Sequence, residues 1–229
     1  MKYHIFGTTV PAVEVTLNRG ESMYTQSGAM AWQSEGIDMN TGTRGGLFKG
    51  LSRMLAGESI FQSTFTAQTD GATIAFAATV PGAIVAYDLT GKPDLICQKG
   101  AFLCAQESVA LKVAFTKRFS AGMVGGEGFI LEELSGDGLA FLEIDGDAME
   151  RTLAPGEVIK VDTGNVVAFE KTVSYEVETV KGAANIFFGG EGLFLTKLTG
   201  PGKIILQTMN LFDFAGRIGS LLPSRNNNN

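Results

Sequence analysis

A glycine-punctuated stretch that occurs three times constrains this chain more than any other feature. Its clearest copy opens with Gly126-Glu127-Gly128-Phe129-Ile130-Leu131, turns at Ser135-Gly136-Asp137-Gly138 and continues as Leu139-Ala140-Phe141-Leu142. Downstream it returns as Gly190-Glu191-Gly192-Leu193-Phe194-Leu195, Thr199-Gly200-Pro201-Gly202 and Lys203-Ile204-Ile205-Leu206. Upstream it returns as Gly57-Glu58-Ser59-Ile60-Phe61, then Phe65 and Ala67, then Asp70-Gly71-Ala72-Thr73-Ile74-Ala75-Phe76, with a longer centre. Each copy reads as strand, glycine turn, strand. A second signature alternates with the first: a strand, a turn at Gly20, Gly100 or Gly156, and another apolar strand. Asp162-Thr163-Gly164-Asn165 reads as the tip of one such hairpin, between Val158–Val161 and Val166–Phe169. Three copies of one β module follow, and similar modules pack around a pseudo-threefold axis because each apolar face is covered only by its neighbours.

The expected fold is therefore all-β, a pseudo-threefold repeat of β-hairpin modules forming a compact sandwich or barrel. At 229 residues with 45% hydrophobic content, the chain suffices for one such domain, over residues 1–222, with a polar tail at 223–229. Runs such as Ala75-Phe76-Ala77-Ala78-Thr79-Val80 and Ile204-Ile205-Leu206 are apolar on both faces, as in strands covered on both sides. The expected core holds Phe76, Phe102, Phe129, Ile130, Phe141, Leu142, Val158, Ile159, Phe194 and Ile205. Helical periodicity appears twice. Leu47, Phe48, Leu51, Met54 and Leu55 give a short amphipathic helix near 46–56; Leu211, Phe214, Ala215, Ile218, Leu221 and Leu222 give a C-terminal one near 211–222, ended by Pro223.

A net charge of -6 repels polyphosphate, so nucleic acid is not an expected partner. The chain lacks an apolar run of about 18 residues and an apolar leader, which predicts a soluble, cytoplasmic protein. Cys97 and Cys104 read as buried free thiols. The single histidine, His4, is too few for a histidine-rich metal centre and reads as a surface or strand-edge residue.

Arg44, Lys49 and Arg53, beside the Gly45-Gly46 lead-in to a helix, are the best anion-binding candidates, although the segment lacks the Gly-Lys-Ser/Thr ending of a phosphate loop. Glu58, Glu127 and Glu191 follow a glycine at the same module position and read as acceptors of backbone N–H bonds at their turns. The acidic run Glu143, Asp145, Asp147 and Glu150 reads as a solvated hairpin tip. Trp32, near Met23, Tyr24, Met30 and Met39, reads as core filling.

Jointly, Met30-Ala31-Trp32, Gly45-Gly46, Arg53-Met54-Leu55-Ala56-Gly57-Glu58-Ser59, Val80-Pro81-Gly82, Gly100-Ala101-Phe102-Leu103, Gly126-Glu127-Gly128, Gly189-Gly190-Glu191-Gly192 and Gly200-Pro201-Gly202 carry a resemblance. The chain resembles bacterial members of the altered-inheritance-of-mitochondria family of number twenty-four. The resemblance implies a compact β fold like that of the tryptophan RNA-binding attenuator protein, TRAP. For mitochondrial members it implies a role in inner-membrane organisation and respiratory complexes. The attenuator's tryptophan and RNA sites are not carried over, since a shared fold is not a shared site.

No catalytic set is visible, so the expectation is a non-enzymatic, self-associating scaffold or regulator without cofactor. The alternative is a small-ligand or anion-binding protein. The unmatched apolar faces of the two helices predict a homo-oligomer, with peripheral membrane contact as the lesser option.

Overall fold

The computed structural model describes residues 1–26, 28–42, 62–117, 129–179 and 194–222. After an N-terminal strand β1 (Lys2–Phe6), the described residues form eighteen strands in three consecutive groups of six. The first group is β2 (Ala12–Leu17), β3 (Ser22–Thr25), β4 (Met30–Gln33), β5 (Ile37–Gly42), β6 (Gln62–Ala67) and β7 (Ala72–Ala77). The second is β8 (Gly82–Asp88), β9 (Leu95–Gln98), β10 (Phe102–Gln106), β11 (Val109–Lys117), β12 (Phe129–Gly136) and β13 (Leu139–Asp145). The third is β14 (Ala148–Leu153), β15 (Val158–Asp162), β16 (Val166–Glu170), β17 (Ser174–Thr179), β18 (Phe194–Thr199) and β19 (Gly202–Gln207), followed by helix α1 (Leu211–Leu221). The all-β expectation and the C-terminal helix hold. The helix expected near 46–56 lies outside the described residues.

All three groups share one pairing scheme. The sixth strand is flanked by the first and third, and the fifth by the second and fourth: β2-β7-β4 with β3-β6-β5, β8-β13-β10 with β9-β12-β11, and β14-β19-β16 with β15-β18-β17. The two half-sheets of each group face one another across an apolar core. Val13, Val15, Leu17, Ile74 and Phe76 meet Met23, Ile37 and Phe65 in the first core. Tyr87, Phe102, Leu142 and Ile144 meet Leu95, Cys97 and Leu134 in the second. Leu153, Val166, Phe169, Ile204 and Leu206 meet Leu198, with Ile159, Val161 and Tyr175 alongside, in the third.

Consecutive groups are joined edge to edge. Tyr24 of β3 lies opposite Ala105 of β10, and Cys97, Ile96 and Leu95 of β9 lie opposite Ala168, Phe169 and Glu170 of β16. Two half-sheets thereby fuse into each six-stranded sheet, with one core on either face. Phe141 and Cys104 belong to the second group yet fill the first core, while Ala168 and Ile205 of the third group fill the second. These strands are apolar on both faces for that reason, as their sequence predicts.

The turns differ from the expected hairpins. The Asp70-Gly71, Gly136-Asp137-Gly138 and Gly200-Pro201-Gly202 turns each connect a fifth strand to a sixth strand, and those two strands lie in opposite half-sheets. They are arches across a sandwich rather than hydrogen-bonded hairpins, and the turn at Asp162–Asn165 is another, since β15 pairs with β18 and β16 with β19. Glycine turns punctuate hairpins and arches alike, so the pattern alone cannot separate them. The counterpart of Gly20 and Gly156 in the second group is Gly91, which joins β8 to β9; the three share left-handed φ values of 84°, 77° and 67°. Gly100 instead lies in a short 3-10 turn before β10, matching the turn at Thr163–Asn165.

Phe76, Phe102, Phe141, Leu142 and Ile205 are buried as expected, and Ile130 and Ile159 are half-buried. The side chains of Phe129 and Phe194 lie outside the described residues. Val158 is a correction: it is 49% exposed, because β15 is the last strand of its sheet.

Two measurements test this architecture. The shared strands couple all three cores, so residues 10–210 should unfold in a single calorimetric transition; two resolved transitions would contradict the coupling. Phe141 is fully buried in a core built mainly by the preceding group, with its ring 5.1 Å from Tyr3. Phe141→Ala should lower stability in urea by about 3–5 kcal/mol.

Candidate functional site

Three features stand apart from the packed sandwich: a buried carboxylate with one unpartnered oxygen, an aromatic shelf on an outer sheet face, and a helix whose apolar side is exposed.

Glu132 sits on β12 beside Cys97 of β9 and is fully buried. Its Oε1 accepts a hydrogen bond from Gln26 Nε2 at 2.6 Å, and its Oε2 has no partner. The pairing register gives Glu132 two counterparts, Ser63 on β6 and Thr196 on β18. Thr196 donates to the Thr163 hydroxyl at 3.1 Å, so only the middle group places a carboxylate here. Burial pushes its pKa up to about 7 against the opposing pull of Gln26 and Lys99. The neighbouring thiol of Cys97 is raised by its own burial and by this carboxylate. Nothing in the sequence marked Glu132, since Glu132-Glu133 reads as an ordinary charged pair in a strand. Glu133, by contrast, is ion-paired with Lys112 at 2.7 Å.

Glu143 differs from the expected solvated tip. It is buried and accepts from the Thr79 amide, the Thr79 hydroxyl and the Val80 amide, at 2.5, 2.7 and 3.3 Å. Asp145 of the same run accepts the Leu211 amide at 3.1 Å and so holds the first turn of α1.

Trp32 is a further correction: it does not fill the core but is 44% exposed on the outer face of the first sheet. Its ring lies 5.7 Å from that of Phe6, Phe6 stacks on His4 at 5.9 Å, and Trp32 Nε1 donates to Glu14 at 3.1 Å. His4 is thus a residue of the edge strand β1. Trp32 is exposed because β4 is the last strand of its sheet and no core lies beyond it.

Helix α1 starts at Asn210, whose side chain accepts the Phe212 amide at 3.0 Å. Asn210 lies directly against Gly164, where any side chain would collide with it. No residue of the helix is buried, so Leu211, Phe214, Ile218 and Leu221 present their apolar side chains to solvent. Cys97 and Cys104 are buried free thiols. Arg44, Lys49 and Arg53, and likewise Glu58, Glu127 and Glu191, lie outside the described residues. Among the described residues no group of three or more His, Cys, Asp or Glu side chains is placed to hold a metal ion.

The family model described as mitochondrial biogenesis AIM24 matches residues 3–209. The chain belongs to the AIM24 family. An uncharacterised protein of Streptococcus pyogenes serotype M6 is 31% identical over 225 residues, spanning 95% of this chain and 89% of that one. The fold is also similar to the crystal structure of a Streptococcus pyogenes protein of 29% identity, with a TM-score of 0.78 over 96% of this chain and 99% of that one. AIM24 membership accounts for the resemblance read in the glycine turns and assigns no chemistry to Glu132, Trp32 or α1.

The buried carboxylate gives a pH prediction. A folded-state pKa of about 7 lies above the ordinary value of 4.5, so the folded protein holds a proton that the unfolded chain has released between those pH values. Stability therefore falls as pH rises from about 4.5 to 7, and the cost is full above that. Glu132→Gln, which keeps the acceptor for Gln26, should raise stability at pH 8 by an amount on the order of 1–3 kcal/mol. The gain should vanish near pH 4.5, as measured by urea denaturation across the range.

Proposed function

We propose that this AIM24-family protein is a non-enzymatic, self-associating scaffold or regulatory protein. The observation that carries the reading is α1: an eleven-residue helix capped and held at its start, with an apolar side left in water along its length. Helices gain most of their stability by burying such a face, and soluble proteins seldom leave one open. A second copy of the chain is the occupant we favour, and a membrane surface is the lesser one. No helix among the described residues is long and apolar enough to cross a membrane. A cytoplasmic location belongs to the same proposal, supported by the two thiols kept unpaired. Among the described residues, Glu132 is the buried carboxylate with an unpartnered oxygen, and no acid–base partner is set against that oxygen, which favours assembly over catalysis. Small-ligand or anion binding through Arg44, Lys49 and Arg53 is the alternative that the sequence raised; those side chains are not described.

The test is the molar mass of the intact chain by light scattering, without detergent, beside the variant Phe214→Glu/Ile218→Glu. Both positions are exposed, so the fold should persist in the variant. The intact chain should exceed the single-chain mass and the variant should shift toward it. An intact chain that is monomeric at high concentration overturns the proposal.

A further inference from the structure

We infer that β15 of one copy pairs antiparallel with β4 of a second, repeating between chains the joint that the chain makes twice within itself. This rests on the self-association proposed above and names a second surface for it, apart from α1. The second strand of one group pairs with the third strand of the next: β3 with β10, then β9 with β16. Continuing the series leaves one second strand and one third strand over. They are β15, at the end of the sheet β15-β18-β17, and β4, at the end of the sheet β1-β2-β7-β4. The three groups are thus an open series by strand pairing, with each terminal strand the counterpart of one already paired inside the chain.

The register can be derived. The third strands β4, β10 and β16 each carry an irregularity at the same point against the sixth strand, between Met30 and Trp32, Phe102 and Cys104, and Val166 and Ala168. Trp32 therefore corresponds to Cys104 and Ala168, and Gln33 to Ala105 and Phe169. The bulge does not prevent pairing on the far side, since β10 and β16 pair there. On the other partner, Leu134 and Leu198 stand four residues before Gly138 and Gly202, and they face Leu95 and Ile159. Val161 is then the counterpart of Cys97, and Lys160 of Ile96. Since Cys97 pairs with Ala168 and Ile96 with Phe169, the new joint sets Val161 opposite Trp32 and Lys160 opposite Gln33.

The chemistry matches position by position. Val161 borders the third core, and in the internal joints the counterparts of Trp32 face the core of the preceding group. The volumes agree too. Trp32 lies opposite Ala75, Cys104 opposite Phe141 and Ala168 opposite Ile205, one large and one small side chain each time. An aromatic ring against a β-branched side chain is a favourable cross-strand pair, and Lys160 against Gln33 is polar against polar. A joint of this kind is head-to-tail, so it builds rings if the rotation closes and filaments if it does not.

Two chains that each carry one added cysteine beside the native Cys97 and Cys104, Trp32→Cys and Val161→Cys, test the joint when produced together. Residues directly opposite in a sheet are within disulfide range, and the native thiols are buried with pKa values well above the usual range. Mild oxidation should give a disulfide-linked product of twice the chain mass from the two chains together and from neither alone. A second pair, Gln33→Cys with Lys160→Cys, replaces exposed side chains and should give the same result if losing Trp32 weakens the fold. If the intact protein is oligomeric but neither pair links, the edge joint is wrong and self-association stands. If Trp32→Cys links to itself, the contact is symmetric and the joint is also wrong. If the intact protein is monomeric, both readings fall.

Discussion

The pairing of β3 with β10 and of β9 with β16 is the constraint on which the rest of this molecule depends. A half-sheet of three strands has two faces and two open edges, and neither is tolerable alone: the edges offer unpaired amides and carbonyls, and the apolar faces need cover. Joining half-sheets edge to edge satisfies one edge of each and places the fused sheet between two cores. The buried strand β13 shows the result, with Leu142 and Ile144 in the second core and Phe141 in the first. A group of six strands therefore contributes side chains to cores that are not its own, and removing one group would uncover its neighbours.

The irregularity shared by β4, β10 and β16 belongs to the same arrangement. An extra residue in a strand bends it and increases its local twist. Its recurrence at one register in three segments of unlike sequence, Met30-Ala31-Trp32, Phe102-Leu103-Cys104 and Val166-Val167-Ala168, shows backbone geometry repeated where side chains have diverged. At this bulge each group pairs one large side chain with one small, Trp32 with Ala75, Phe141 with Cys104 and Ile205 with Ala168. Close packing requires the sum to be right and leaves open which strand supplies the bulk.

The repeat was legible because turns need glycine at particular backbone angles, and such residues recur visibly. Most of the core was legible because apolar runs on both faces leave few alternatives to a buried strand. What the sequence hid were matters of partner choice. An arch and a hairpin use the same turn residues, so the strands on either side of Gly138 gave no sign that they enter different sheets. Gly100 imitated Gly20 and Gly156 because it too stands between apolar strands, although the angle that marks the turn belongs to Gly91. Trp32 among its methionine and aromatic neighbours and Val158 in its apolar strand both read as core, yet they lie on terminal strands, a fact set by the number of groups rather than by local pattern. Glu132 escaped notice because a carboxylate in an alternating strand ordinarily faces water, and only the third dimension reveals that both sides are covered.

The two ends of the series also differ chemically, and that difference restricts how copies can meet. The first sheet carries an outer row of His4, Phe6, Glu14 and Trp32, aromatic with a single acid bonded to the indole. The last sheet carries Lys160 paired with Glu178 at 2.6 Å and Lys197 with Glu176 at 3.2 Å. Two aromatic ends placed together would bring an edge with no internal counterpart against itself, since third strands in this fold pair outward with second strands. Two charged ends would set Lys160 near its own copy, a like-charge contact that costs free energy in a sheet. Joining unlike ends avoids both conflicts and extends a pairing that the chain already makes. Helix α1 lies outside this scheme: it follows the last strand, is held at its start through Asn210 and Asp145, and has no equivalent after β7 or β13. A contact through α1 could therefore be symmetric, whereas the proposed joint of β15 to β4 is head-to-tail, so the two would be geometrically independent.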